Sequence, residues 1–207
     1  MSRKWLVAAA ALALVLPCRA EAQWGMKIGG GIGILTGDVS KYLDDGWNGQ
    51  LGAVMRVPKK PFGFTFEFNN AWGNVNSAGR AFLNGHDGHQ NIWSLTLNAM
   101  LMPVRKIHYR GFNYYLIGGG GFYSRYLAVD GGSVVVPCYP YYWWYPCTGT
   151  VTLASRTDNG FGVNGGAAIG YNYGQGMFYI ESRYHYAWLY QRDGQVVPIV
   201  FGFRLGF

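Results

Sequence analysis

Residues 201–207 alternate apolar and small-or-charged side chains to the last position, so Val197, Ile199, Phe201, Phe203, Leu205 and Phe207 form one stripe and Gly202, Arg204 and Gly206 another. Successive side chains of a strand point to opposite faces, and this period of two predicts a strand with one wholly apolar face. The pattern recurs upstream. Phe62, Phe64, Phe66, Phe68 and Trp72 oppose Thr65, Glu67 and Asn69, and Ile180, Tyr184, Tyr186 and Trp188 oppose Glu181, Arg183 and His185. Extending the reading over the chain predicts eight strands, near residues 25–36, 49–57, 62–72, 90–103, 113–128, 159–173, 177–190 and 195–207. Most match the ~9 to 11 residues of a tilted membrane-crossing strand. In the fifth, both phases carry aromatics and glycine, and its facing stays open.

The connections alternate in length. Residues 58–61, 104–112 and 174–176 are short to moderate, whereas 37–48, 73–89 and 129–158 are long; 191–194 is the one short member of the second set. Short turns at one end and long loops at the other are the asymmetry of an outer-membrane barrel. The expected fold is therefore all-β, an eight-stranded antiparallel transmembrane up-and-down β-barrel. The charges set its sense. An Arg at the lipid midplane costs ~2 to 4 kcal/mol, so Lys27, Arg56, Glu67, Glu181, Arg183 and Arg204 are expected to converge on the lumen as a paired network. Trp72, Trp93, Trp188 and Tyr190 fall toward the loop ends and Phe62, Tyr173, Phe178 and Phe207 toward the turn ends, where aromatic belts belong. Gly29, Gly31, Gly33, Gly162, Gly166 and Gly170 fall on the inner phase of a narrow barrel.

Export explains how such a barrel reaches a membrane. Arg3 and Lys4 precede the apolar run 6–16, and Ala20-Glu21-Ala22 supplies small residues for cleavage after Ala22. Residues 1–22 are thus expected to be a signal peptide and 23–207 a single barrel domain. Pro17 argues against lipidation at Cys18. Removing the signal takes out Arg3, Lys4, Arg19 and Glu21 and lowers the net charge from +7 to +5. The basic pairs, such as Lys59-Lys60, read as solvated turns or contacts with anionic lipid head groups. Nucleic acid is not an expected partner of an exported chain. With 50% hydrophobic and 13% charged residues, the composition is far from that of disordered chains. Cys138 and Cys147 remain after export into an oxidising compartment and are expected to pair.

The export signal, the strand pattern, Glu181-Ser182-Arg183-Tyr184 and the closing run 198–204 with terminal Phe207 resemble the small outer-membrane β-barrel family that includes the opacity-type and OmpA-like transmembrane domains. The resemblance spans the mature chain and implies architecture more than activity. It implies localisation in the bacterial outer membrane, outer-membrane lipids as surroundings, and Phe207 as the signal read by the barrel assembly machinery. A monomer is expected, and members serve in adhesion, surface masking, envelope stability and, rarely, catalysis.

Candidate chemistry is thin. Some similar barrels deacylate lipid A through a His-x-Ser pair, but here His185 is followed by Tyr186-Ala187 and the nucleophile is missing, with Ser182 on the opposite phase. His86-Asp87-Gly88-His89 has metal-binding residue types without a fourth ligand at regular spacing, and residues 29–33 lack the Lys-Ser/Thr of a phosphate loop. No catalytic residue, metal or cofactor is therefore expected. The most unusual segment is the third long connection, in which 134–138 and 147–153 read as two arms of a hairpin rising beyond the membrane, with Tyr141, Tyr142, Trp143, Trp144 and Tyr145 at the tip between the two cysteines. A Cys138–Cys147 bond would close a 10-residue ring and remove roughly 2.7 kcal/mol of loop entropy from the unfolded chain. Rigid aromatics suit recognition of an extracellular protein, glycan or lipid; resting on the barrel mouth is the other reading. The expected function is a non-catalytic role in envelope structure or surface adhesion through the loops, with a narrow porin and a lipid-modifying enzyme as alternatives.

Overall fold

The structure is a computed structural model that describes residues 23–57, 60–103, 110–137, 146–190 and 193–206. The expected signal peptide, Cys138, the tip residues 141–145 and Phe207 lie outside the described residues. Among those described, eight antiparallel strands close into a barrel: β1 (Gln23–Leu35), β2 (Gly46–Arg56), β3 (Phe62–Asn74), β4 (Asp87–Leu101), β5 (Arg110–Pro137), β6 (Pro146–Tyr173), β7 (Gly176–Leu189) and β8 (Gly194–Leu205). Each strand pairs with its sequence neighbour, and β8 returns to β1 from Met26 opposite Leu205 to Leu35 opposite Val196. Closure leaves no free edge around the ring, the condition for a sheet in lipid.

The alternation of exposure is that of a soluble protein turned inside out. In β3, Phe66 is 56% exposed and its neighbour Glu67 is wholly buried, and the alternation holds from Phe62 to Asn69. A hydrated surface would have the reverse order. The open question of β5 is resolved by the same measure. Tyr115, Ile117, Tyr123 and Arg125 are buried, whereas Tyr114 and Leu116 are exposed on the outer wall.

β5 and β6 each run for 28 residues, because the barrel strands expected to end near 128 and start near 159 are continuous with the hairpin arms expected over 134–138 and 147–153. Register shifts at Val129/Asp130 and Asp130/Ser133 mark the join, with Gly132 at φ 96°, and pairing resumes from Ser133 opposite Thr150 to Pro137 opposite Pro146. A bulge of this kind keeps a ladder going by taking up surplus residues in one strand. β4 stops pairing with β5 at Asp87–Asp130, and β7 with β6 at Gly160–Leu189. The end of the β5–β6 hairpin therefore stands as a two-stranded ribbon, roughly 20 Å long beyond Asp130 at the rise of a strand.

The lumen is layered. Toward the chain termini, Val54, Met100, Met102, Ile117, Met177 and Val200 pack into an apolar layer. Toward the hairpin end, Leu35, Ala71, Ile92, Tyr123, Leu189 and Val196 form a second. Two connections close over the latter. A 3-10 turn at Gly37–Lys41 leads to Leu43, which bridges to Val75 just before a short helix α1 (Ser77–Phe82). Asn76 caps α1 by accepting the Gly79 N–H at 2.9 Å.

Candidate functional site

Between the two apolar layers lies a cluster of buried charge. Lys27 on β1 stands opposite Gly52 on β2, which stands opposite Glu67 on β3. Two strand spacings are nearly 10 Å, and because Gly52 has no side chain the Lys27 ammonium and the Glu67 carboxylate meet across it at 3.1 Å. The same ammonium donates at 2.7 Å to Glu181 on β7. Arg183, two residues further along β7, donates through Nε at 2.8 Å and Nη2 at 2.6 Å to Glu181 Oε1 and also bonds Glu67. Two cations thus serve two carboxylates.

Neutral groups complete the shell. Gln50 Nε2 lies 2.9 Å from Glu67 and 3.2 Å from Glu181, and the Tyr115 hydroxyl donates to Glu181 at 2.6 Å. All of these carboxylate oxygens accept at least one donor. That matters because an ion pair taken out of water recovers its desolvation cost only when the remaining lone pairs are also satisfied. From Arg183 the polar contacts continue through Asn164 to Asn98, whose amide reaches Thr65 and Thr96. These neutral partners carry no charge signal in the sequence. Only their inner phase, shared with Glu67 and Arg183, could have singled them out.

Two further residues are expected in the network. Arg204 is 3% exposed beside the cluster, with its guanidinium 5.4 Å from the centroid of the Tyr115 ring and Nη2 3.6 Å from Met177 Sδ. Arg56 lies farther off. It is the last residue of β2, opposite Gly63, half-buried and without an ion pair among the described residues. Four positions separate it from Gly52, about 13 Å along a strand, which is beyond reach of the acids.

The remaining candidates take structural positions. His185 is buried with Nδ1 2.9 Å from the Tyr123 hydroxyl, while Ser182 is exposed on the outer wall, so the two face opposite sides. His89 stacks on Trp72, with ring centroids 5.4 Å apart, and its Nδ1 lies 3.5 Å from Asp130. Asp87 pairs with Arg80 of α1 instead of facing His89. Among the described residues no three His, Cys, Asp or Glu side chains gather to hold a metal ion. Residues 29–33 lie within β1. In the ribbon, the backbone of Cys147 stands opposite Val136.

No family model matches the chain, and no curated protein sequence matches it. Solved structures do. A major outer membrane protein from Thermus thermophilus superposes with a TM-score of 0.60 at 11% identity, covering 90% of this chain and 100% of that one. The attachment invasion locus protein Ail of Yersinia pestis, solved with the heparin analogue sucrose octasulfate, gives 0.48 at 14% identity over 90% and 99%. Neisserial surface protein A gives 0.48 at 14% over 90% and 96%. The first of these shows that the chain shares its fold with an outer-membrane protein.

Proposed function

We propose that the protein is a non-catalytic barrel of the bacterial outer membrane, a monomer that supports the envelope and meets other surfaces through the β5–β6 hairpin. The observation that carries this reading is the inversion of the wall, with phenylalanines outside and a paired charge cluster inside. Water would oppose that order, and hydrocarbon favours it. In this reading residues 1–22 direct export and are removed after Ala22, and Phe207 is the mark for the barrel assembly machinery. Outer-membrane lipids surround the wall. In this reading the aromatic residues 141–145, between Cys138 and Cys147, contact a protein, glycan or lipid of a neighbouring surface. Large buried side chains such as Arg183, Tyr115 and Tyr123 crowd the interior, which disfavours a porin.

The test is folding into lipid. The mature chain, refolded into phosphatidylcholine vesicles, is expected to give a β-type circular dichroism spectrum and to migrate differently on electrophoresis before and after boiling. Full solubility without detergent or lipid would overturn the reading.

A further inference from the structure

Toward the turn end of the barrel, the register sets two adjoining rows of side chains on the outer wall. Phe112, Tyr171, Phe178, Phe203 and Ile28 stand level on β5, β6, β7, β8 and β1. Two residues nearer the hairpin end, Ile169, Ile180, Phe201 and Gly30 form the next row, and Gly30 has no side chain to fill its place. An open groove of about 810 Å³ follows these rows from Phe112 to Ile28, floored in part by the backbone of Gly29, Gly30 and Gly202. Five strands span roughly 19 Å at the ~4.8 Å spacing of a sheet, so the groove is a track that takes most of an extended acyl chain. Phe112 is the third residue of β5 and Gly30 the eighth of β1, so the track deepens into the membrane as it leaves β5.

The shallow end of the track is charged. Arg110 shares the outer phase with Phe112, two residues away, and is exposed; its Nε lies 3.8 Å from the place a Cβ of Gly174 would take, which sets the side chain over the β6–β7 turn. Tyr173, opposite Arg110 on β6, stacks on Phe203 with centroids 5.7 Å apart, so the cation stands at the level of an aromatic belt. No acidic side chain competes for it. The connections at this end hold Lys59, Lys60, Arg105 and Lys106 and no Asp or Glu, whereas every Asp of the chain falls toward the hairpin end. Glu67 and Glu181 are buried in the cluster.

An apolar track in hydrocarbon, ending at the interface on a cation that no acidic side chain neutralises, is complementary to an amphiphile with an anionic head. We infer that the groove holds an acyl chain of an anionic phospholipid, with the phosphate on Arg110 and the chain running past Phe178 and Phe203 to Gly30. A zwitterionic lipid brings its own cation to the same place and gains less. The inference rests on the outer-membrane reading above and adds to it the class of lipid held at the turn end.

Native mass spectrometry of the mature barrel refolded in detergent, titrated with dioleoylphosphatidylglycerol or dioleoylphosphatidylcholine, tests it. The first phosphatidylglycerol is expected to bind about fivefold or more tightly than the first phosphatidylcholine, the factor of one cation beside an anionic head group. Arg110→Gln should abolish that preference, whereas Lys60→Gln, on the β2–β3 turn away from the groove, should keep it. Gly30→Leu should weaken both lipids; its Cβ would meet nothing nearer than the Asn48 carbonyl oxygen at 3.7 Å, so strand pairing tolerates it. Equal affinity for the two lipids, the same loss of preference in Lys60→Gln as in Arg110→Gln, unaltered binding in Gly30→Leu, or a second copy of the chain on the groove in place of lipid would each overturn the inference. Heat-modifiable migration is followed in parallel. A wild type that never shows it overturns the outer-membrane reading, whereas a heat-modifiable barrel without lipid preference overturns the lipid site alone.

Discussion

Lys27 on β1 and Glu181 on β7, 154 positions apart in the chain, meet at 2.7 Å in the middle of the barrel. Neither is accessible to solvent in any useful degree, and each has a second partner of opposite charge in the same cluster. Their contact exists only in the closed ring, because β1 and β7 are joined through β8.

Removing one member should therefore cost far more than a surface ion pair. Lys27→Met leaves two carboxylates to one guanidinium and is expected to destabilise the barrel by ~3 to 5 kcal/mol, against ~0 to 1 for exposed Lys41→Met, whose partner is Asp38. Urea unfolding in lipid vesicles measures both. The double replacement Lys27→Met with Glu181→Leu should recover part of the loss. Equal stabilities of the Lys27 and Lys41 variants would refute a dry, paired cluster.

Gly52 separates Lys27 from Glu67, and a Cβ there would come within 2.7 Å of Glu67 Cγ and 2.9 Å of the Phe66 carbonyl oxygen. Gly52→Val should displace the Glu67 side chain and lower the yield of heat-modifiable barrel. Gly165→Ala, where nothing lies within 4 Å of the added carbon, should be neutral. Similar refolding yields for the two variants would show that Gly52 is not needed for the approach.

On the outer wall, Leu97 is 62% exposed and opposite Phe66, level with the buried cluster. Leu97→Arg places a cation at mid-depth and is expected to cost ~2 to 4 kcal/mol in lipid vesicles. An unchanged unfolding midpoint for this variant would place the band outside the hydrocarbon.

The layered lumen predicts little ion flow. Planar-bilayer recordings of the wild type should show no large, long-lived open state, since an eight-stranded ring is just wide enough for its side chains. A stable, high-conductance pore would restore the porin alternative.

For the tip of the hairpin, non-reducing mass spectrometry should find Cys138 bonded to Cys147. Trp143→Ala with Trp144→Ala should leave folding intact yet weaken attachment to a partner surface by ~2 kcal/mol or more, the scale of a binding hot spot. Attachment equal to wild type in adhesion or lipid-flotation assays would remove the tip from the functional account.

The sequence by itself determined the number of strands, their alternation and the sense of the wall, because a period of two is local and a charge on the lipid side is too costly to tolerate. It sorted Lys27, Glu67, Glu181, Arg183 and Arg204 onto the inner phases of their strands without any knowledge of their partners. Tertiary structure decided the rest. Register set depth, which separates Arg56 from the acids although it shares their phase, and brings neutral Gln50, Tyr115 and Asn164 into the cluster. The facing of β5 was undecidable locally since both phases carry aromatics, and only closure against β4 and β6 selected one. The hairpin arms over 134–138 and 147–153 are legible beside the cysteines, but their continuity with β5 and β6 is not, because the join at Gly131 and Gly132 runs through register shifts that exist only once a second strand is paired alongside.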